Sequence, residues 1–416
     1  MEEKVDKSSF KSYLFFWSGQ LVSILGSSVV YFVLLWWLVD GTESAVALSI
    51  GSVSYFVPFI LVSLIAGVVA DRYDRKKVIL IADSLQAFST FIMILFFAYG
   101  IMEYWYLYFF FAFRSTCQAF HQPTQNAIIP TMVPKEKLSR INGINYLLTG
   151  VIHIIGPMIG ATFLIFLTVE QALWIDIITY LISIVPLLLV KIPSFHKETE
   201  DKKRESMWKE FKSGIKILTT IPGLLALILE AMMVNFLAQP ISTLLPYYIR
   251  IIHNGSVVDF ALISMSFNVG MFIGGILTTI KKKWKYKVPI MISAGIIYAI
   301  AYALFSFVPT GFFILIMLYT VIMGFTLPIW NALFYTILQL KVPSDKLGRI
   351  TSIDNTFSCI SIPLGSILAG PLVVIIGIGP LFFISASLIV IVEIVVYLFT
   401  KVRLLDSEED SSQEPG

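Results

Sequence analysis

Apolar residues run along this chain in long blocks separated by short polar interruptions. The blocks fall at about 13–38, 46–70, 78–100, 104–122, 143–166, 171–190, 223–247, 257–280, 288–308, 311–335, 351–376 and 379–399. Nearly all approach or exceed the ~20 residues that let a helix cross ~30 Å of hydrocarbon. The pattern predicts an all-α integral membrane protein of twelve spans. Gly377, Gly379 and Pro380 mark a very tight turn between the last two. The most heavily charged short interruption is Gly67 to Lys77, where six of eleven residues carry charge against 14% in the whole chain. Two spans joined by so short a loop must lie side by side and antiparallel.

Composition agrees. The 416 residues are 57% hydrophobic, with 33 Phe, and the mean hydropathy is +0.83. Soluble domains are about 45–50% apolar, so no soluble core could hide this surface. The first block is longer than the 7–15 residues of a signal-peptide core and is read as a retained span. Cys117 and Cys359 fall inside apolar blocks without metal-ligand spacing, as packing residues do. No Gly-Lys dipeptide occurs, so no phosphate-binding Walker A loop exists and ATP-driven pumping by this chain alone is excluded. With no metal-ligand cluster or nucleophile constellation, the chain is not expected to be an enzyme, to hold a cofactor or to bind nucleic acid.

Charge fixes the topology. If both termini face the cytoplasm, 28 of the 30 Lys and Arg fall in cytoplasmic segments, leaving Arg250 outside and Arg114 within the fourth span. Cationic loops are retained on the cytoplasmic side, and a wrong span count would scramble this alternation. Trp36, Trp37, Tyr104, Trp105, Tyr247 and Tyr248 stand at span ends, where rings favour the headgroup layer. The expected organisation is a six-helix bundle over 1–190, a cytoplasmic linker over 191–222, a second bundle over 223–403 and an acidic cytoplasmic tail over 404–416. The linker reads as a solvated, partly helical connector or as a regulatory segment.

The halves are related. Val133-Pro-Lys-Glu-Lys-Leu-Ser-Arg-Ile141 returns as Val342-Pro-Ser-Asp-Lys-Leu-Gly-Arg-Ile350, identical at six of nine positions. Pro123-Thr-Gln-Asn126-Ala127 is answered by Pro328-Ile-Trp-Asn331-Ala332, and Gly67 by Gly275, with Thr279 in the place of Asp71. The offsets of 205 to 209 argue for duplication of a six-span unit. Parallel six-span halves are the architecture of the major facilitator superfamily.

The chain resembles that superfamily in its motifs. Gly67, Asp71, Arg72, Arg75 and Lys76 match the Gly-x-x-x-Asp-Arg-x-Gly-Arg-Arg/Lys loop between spans two and three, with Asp74 where glycine is usual. Gly156-Pro157-Met-Ile-Gly160 matches a Gly-Pro-x-x-Gly signature of span five, with Ile152 where the fuller antiporter pattern has glycine. Arg114-Ser-Thr-Cys-Gln118 is similar to the arginine-bearing span-four motif of proton-driven exporters. The Asp71–Lys77 loop, Phe120-His-Gln-Pro and Ile129-Pro-Thr-Met-Val-Pro together resemble the macrolide-efflux branch of drug:proton antiporters, a branch that also includes siderophore exporters. The resemblance implies a secondary transporter in the plasma membrane, working on a small-molecule substrate and protons, with no cofactor beyond the proton gradient. A monomer in the lipid bilayer is expected.

The candidate residues follow. Asp71 and its neighbours serve either as a topogenic loop or as a conformational latch. In the second reading the acid docks at the positive N-terminus of a helix of the other half, for which the span opening near Arg349–Thr351 is the expected target. The resemblance implies that this contact closes the cytoplasmic gate. Arg114, mid-membrane, costs about 2.5–3.5 kcal/mol to insert. It either finds backbone partners or serves as a cavity cation, pairing with an acid or holding an anionic group. Asp83, Asp176, Glu230 and Glu393 are intramembrane acids placed shallowly enough to reach water, with Asp83 and Glu230 the foremost proton carriers. Gln118 joins the cavity set. His153 could titrate, though a hydrogen-bonded packing role is the expectation. Gly156, Pro157 and Gly160 admit close helix packing and a gating contact, and Asn126 and Asn331 are expected to cap helix ends. The expected activity is export of an amphipathic or cationic, macrolide- or drug-like compound by proton antiport with alternating access. Export of a siderophore or other metabolite is the alternative, and a non-transporting receptor or scaffold is a more distant one.

Overall fold

The structure, a computed structural model, describes residues 7–193, 215–281 and 284–406. Most of the expected linker and nearly all of the acidic tail lie outside the described residues. Among the described residues twelve long helices occur: α1 (Lys7–Thr42), α2 (Ala45–Arg72), α3 (Arg75–Ala98), α4 (Tyr104–Met132), α5 (Lys135–Phe166), α6 (Val169–Leu189), α7 (Leu224–Tyr247), α8 (Val257–Ile280), α9 (Lys287–Phe305), α10 (Phe313–Lys341), α11 (Ser344–Ile376) and α12 (Ile378–Phe399). A π turn, Tyr248–Ile252, follows α7, and a short 3-10 turn, Lys401–Leu405, follows α12. Eleven of these helices, all but α4, are apolar enough along their length to cross a membrane.

The exception has a physical reason. At 29 residues α4 is long enough to span, but it carries Arg114, Ser115, His121 and Thr124, all buried within the protein. Its polar side chains turn inward among buried apolar ones, while Trp105 and Phe109 face outward. Hydropathy averaged over the helix hides that arrangement, because a polar side chain can be satisfied by neighbouring helices as well as by water.

Helices run past the edges that the apolar blocks predict. Pro123 and Pro130 lie inside α4, Pro328 inside α10, and Pro363 and Pro371 inside α11. Neighbouring helices re-satisfy the backbone groups that proline frees in a membrane protein. The duplicated Val-Pro step instead marks the same junction in both halves. Val133 and Val342 end α4 and α10, and Pro134 and Pro343 open α5 and α11 with nearly identical backbone angles, φ −56° and −52°. Proline suits a helix start, where its missing N–H costs nothing. Gly377, with φ +84°, makes the one-residue turn between α11 and α12 that a side chain would strain.

The chain divides into two compact units, residues 1–199 with 256–261, and residues 200–255 with 262–416. In the first, α1 packs on α5 and α6, α2 and α3 pack on α4, and α3 packs on α6. Tyr13, Phe16 and Trp17 of α1 join Ile79, Ile128, Met132 and Leu187 in its core. In the second, α7 packs on α11 and α12, and α9 on α10 and α12, around Leu227, Ile228, Met291, Phe334, Ile337 and Ile353. Its α8 and α10 meet backbone to backbone: a Cβ at Gly274 would overlap the Phe325 carbonyl, and one at Gly324 the Phe267 carbonyl. Small residues at such crossings are how helices associate where no water drives them together.

Candidate functional site

The charged loop after α2 is built into the first unit. Asp74 is the N-cap of α3, its carboxylate accepting from the backbone N–H groups of Lys76 at 2.9 Å and Lys77 at 3.2 Å. A carboxylate there satisfies orphan donors and complements the helix dipole, which accounts for an acid where glycine is usual. Arg75 donates to the Ala127 carbonyl of α4 at 3.0 Å. Lys76 donates to the carbonyls of Leu188 and Val190 at 2.7 and 2.9 Å, capping the end of α6. Arg72 is exposed, and a Cβ at Gly67 would meet nothing within 4 Å. The side chain of Asp71 lies outside the described ones. The expected docking target needs correction: α11 begins at Ser344, so Arg349–Thr351 lie in its second turn and present no free N-terminal amides.

Above this loop the first unit holds a cavity of about 390 Å³. Asp83, Arg114, Gln118, His121 and His153 supply its polar wall, with Tyr31, Tyr55, Phe56 and Phe111 among its aromatic surfaces. Arg114, Gln118 and His121 stand at i, i+4 and i+7 on α4 and so share one face. Arg114 pairs with Asp176 of α6 at 2.8 Å, and both are buried. Asp176 also accepts from Thr90 at 2.5 Å and from Ser27 at 3.2 Å, and Arg114 reaches Thr90 and the Gln86 carbonyl. A buried guanidinium survives only with its charge and donors matched in this way. Asp176, expected to be shallow enough for water, is 5% exposed because this network encloses it.

Asp83 of α3 forms a second cluster. Gln20 of α1 donates to it at 3.4 Å, and His121 Nε2 lies 3.4 Å from its other oxygen and 2.8 Å from Gln20 Oε1. His121 Nδ1 has no hydrogen-bond partner among the described residues. His121 and Gln20 were not among the sequence candidates; the i+7 spacing from Arg114 was the available signal for His121. His153, expected to be a packing residue, is instead exposed on the cavity wall. On the same helix, α5, Gly156 faces Ser28 and Gly160 faces Phe32 of α1, so close that a Cβ at Gly160 would lie 2.7 Å from the Phe32 ring. Pro157 lies between them within the helix.

The second unit has its own cavity, about 450 Å³, with Asn235, Gln239, Asn268, Asn331, Trp330 and Tyr298 in its wall. Asn126 and Asn331, expected as helix caps, sit inside α4 and α10. Asn331 satisfies one donor on the Leu327 carbonyl of its own helix and faces the cavity. Glu230 does not line this space. It lies behind the wall, 1% exposed, accepting from Trp330 Nε1 at 3.3 Å. No group of three or more metal-ligating side chains occurs among the described residues.

Comparison with known proteins now bears on the chain as a whole. It is 27% identical over 404 residues to Macrolide efflux protein A of Streptococcus pyogenes, covering 97% of this chain and 99% of that protein. It is 26% identical over 322 residues to Macrolide efflux protein A of Enterococcus faecalis, covering 77% of this chain and 99% of that protein. Among solved structures, the nucleoside transporter NupG superposes with a TM-score of 0.71 at 12% identity, covering 92% of this chain and 99% of NupG. The family model of the Major Facilitator Superfamily matches residues 16–366. Together with twelve long helices, a duplicated six-helix unit and a polar cavity in each half, this places the chain in the Major Facilitator Superfamily, as a multi-pass membrane transporter and not an enzyme.

Proposed function

We propose that the chain exports an amphipathic or cationic organic compound of macrolide or drug type, driven by proton entry, with alternating access of two six-helix halves, 1–190 and 223–403. The observation that carries this reading is the cavity of the first unit. Its wall is largely apolar and aromatic, as a site for an amphipathic guest must be. Yet Asp83 lies in that wall beside His121, and such a pair can take up and release a proton as its contact with water changes. Arg114 cannot release a proton and is already matched by Asp176, so it supplies a fixed charge that shapes the cavity. The efflux relatives support the direction of transport and the substrate class.

In this reading the protein works as a monomer in the plasma membrane with both termini cytoplasmic, and Asp71 with Arg72 forms a releasable latch. The test is transport in proteoliposomes under an imposed pH gradient, screening macrolides, cationic dyes and siderophores. At least one macrolide or dye must move against its gradient only when protons flow the other way. If no compound responds to the gradient, the antiport reading fails.

A further inference from the structure

Two acids of the second unit are buried without a cation between them. Glu230 of α7 is 1% exposed and Glu393 of α12 is 0% exposed. Each stands seven residues from a helix end, Glu230 after Gly223 and Glu393 before Thr400, or about 10 Å at 1.5 Å per residue. The ends are the same end, because Gly223 packs against the Lys401 carbonyl. Each carboxyl interacts with the other and with the Trp330 indole. Both oxygens of Glu393 and Oε2 of Glu230 receive no hydrogen bond from a conventional donor among the described residues.

The other titratable groups of the surrounding helices are placed elsewhere. Lys287 opens α9, Lys341 closes α10, Lys346 and Arg349 lie in the first turns of α11, and Lys401 and Arg403 follow α12. Asp345, Asp354 and Cys359 of α11, Tyr298 and Tyr302 of α9, Tyr319 and Tyr335 of α10, Tyr247 of α7 and Tyr397 of α12 are the remaining ones. Two carboxylates facing each other in a low-dielectric interior repel, and an oxygen–oxygen hydrogen bond between them exists only when one carries a proton.

The pair also adjoins the cavity of its unit. Gly295 of α9 makes room for Glu393, since a Cβ there would overlap the Glu393 carboxyl. Gly295, Ala294, Ala231 and Trp330 all line the cavity, so these small residues and one indole are the wall between cavity and carboxyls. Trp330 faces both ways, lining the cavity and donating to Glu230.

We propose that Glu230 and Glu393 share one proton, and that an organic cation entering the adjacent cavity displaces it, with Trp330 as the positioning residue that links the two. The proposal rests on the export reading above and adds to the Asp83–His121 pair a second proton-exchange site, in the other unit. In the empty state one carboxyl is neutral and the other ionised, a net charge of −1. When the cation enters, the O–H bond of the neutral carboxyl breaks and the proton passes to solvent. The pair then carries −2, and the bound cation compensates the added charge. Proton and cation exclude each other, as antiport requires.

The full-length protein in nanodiscs, studied by infrared spectroscopy with ethidium as the cation, tests this. At neutral pH the wild type must show a buried carboxylic-acid C=O band that Glu230→Gln and Glu393→Gln each shift and that the double variant loses. Raising the pH must remove the band from the wild type in one step. Ethidium must abolish it and release a proton for each ethidium bound, measured with a pH-indicator dye in weak buffer. Trp330→Phe must keep the band but need more ethidium to abolish it. A wild type without the band at neutral pH, a band that neither single variant moves, or a band that survives in the double variant overturns the shared proton. Failure of ethidium to bind, binding with the band intact, or equal proton release from the double glutamine variant overturns the coupling. The export reading fails separately, if no compound responds to a pH gradient while the band behaves as described.

Discussion

The buried pair of Arg114 and Asp176 makes a quantitative prediction, because its two halves are not equivalent. Removing one partner of a buried ion pair costs about 3–5 kcal/mol, since the other charge is left uncompensated. A carboxylate left alone can become neutral by binding a proton, whereas a guanidinium cannot become neutral by losing one. Asp176 also accepts from Ser27, Thr90 and Arg114. An asparagine there would offer one acceptor oxygen and turn an NH₂ donor toward one of these donors. Asp176→Asn should therefore cost the full ~3–5 kcal/mol, and Arg114→Gln less. The double variant removes both charges, and such replacements are often close to neutral, so it should be more stable than Asp176→Asn alone. Thermal unfolding of the purified variants in detergent, read as a double-mutant cycle, measures this. The predicted order of stability is wild type, Arg114→Gln, Asp176→Asn, with the double variant above Asp176→Asn. If Asp176→Asn unfolds no earlier than Arg114→Gln, or the double variant is the least stable, the ion pair is not what holds these helices.

Three further outcomes are expected. Asp74→Ala removes the N-cap of α3 and should cost about 1 kcal/mol, whereas Asp74→Gly, which restores the usual residue of the motif, should cost only a few tenths; equal thermal shifts would show that the cap contributes nothing. Gly274→Ala places a methyl group against the Phe325 carbonyl and should cost about 1–3 kcal/mol, while Gly67→Ala, in open space, should leave the melting temperature unchanged. Asp71→Asn should leave substrate affinity nearly intact and slow turnover; a collapse of binding with turnover of bound substrate preserved would remove the latch.

The membrane helices were legible because each apolar block has to satisfy the same hydrocarbon thickness. The ends of those helices were not. Pro123, Pro130 and the polar residues after Arg114 read as a stop, yet α4 continues to Met132 because its polar face is buried by neighbouring helices. The duplicated Val-Pro step was visible as sequence, and its structural meaning, a shared helix-to-helix junction, appeared only in the fold. Asn126 and Asn331 failed as caps for the same reason that α4 and α10 run long: the helices do not end where the apolar blocks do.

The site was legible as a set of costly intramembrane charges but not as pairs. Nothing along the chain says that Arg114 meets Asp176 and not Asp83, because helix packing decides which faces meet. His121 entered only as part of the Phe120-His-Gln-Pro motif, although its position on the Arg114 face distinguished it. Glu230 and Glu393 were each visible as acids near helix ends, while their contact depends on Gly295 leaving room on α9. Asp74 looked like a departure from the loop motif and proves to be a helix cap.

Proton-coupled export is tested most directly by letting substrate drive protons. Proteoliposomes holding the purified protein and an internal pH dye are given a substrate gradient with no imposed pH difference. Substrate flow in one direction must produce proton flow in the other, detectable as a pH change that a protonophore dissipates and that Asp83→Asn diminishes. Substrate movement at the wild-type rate with no change of internal pH would contradict the account.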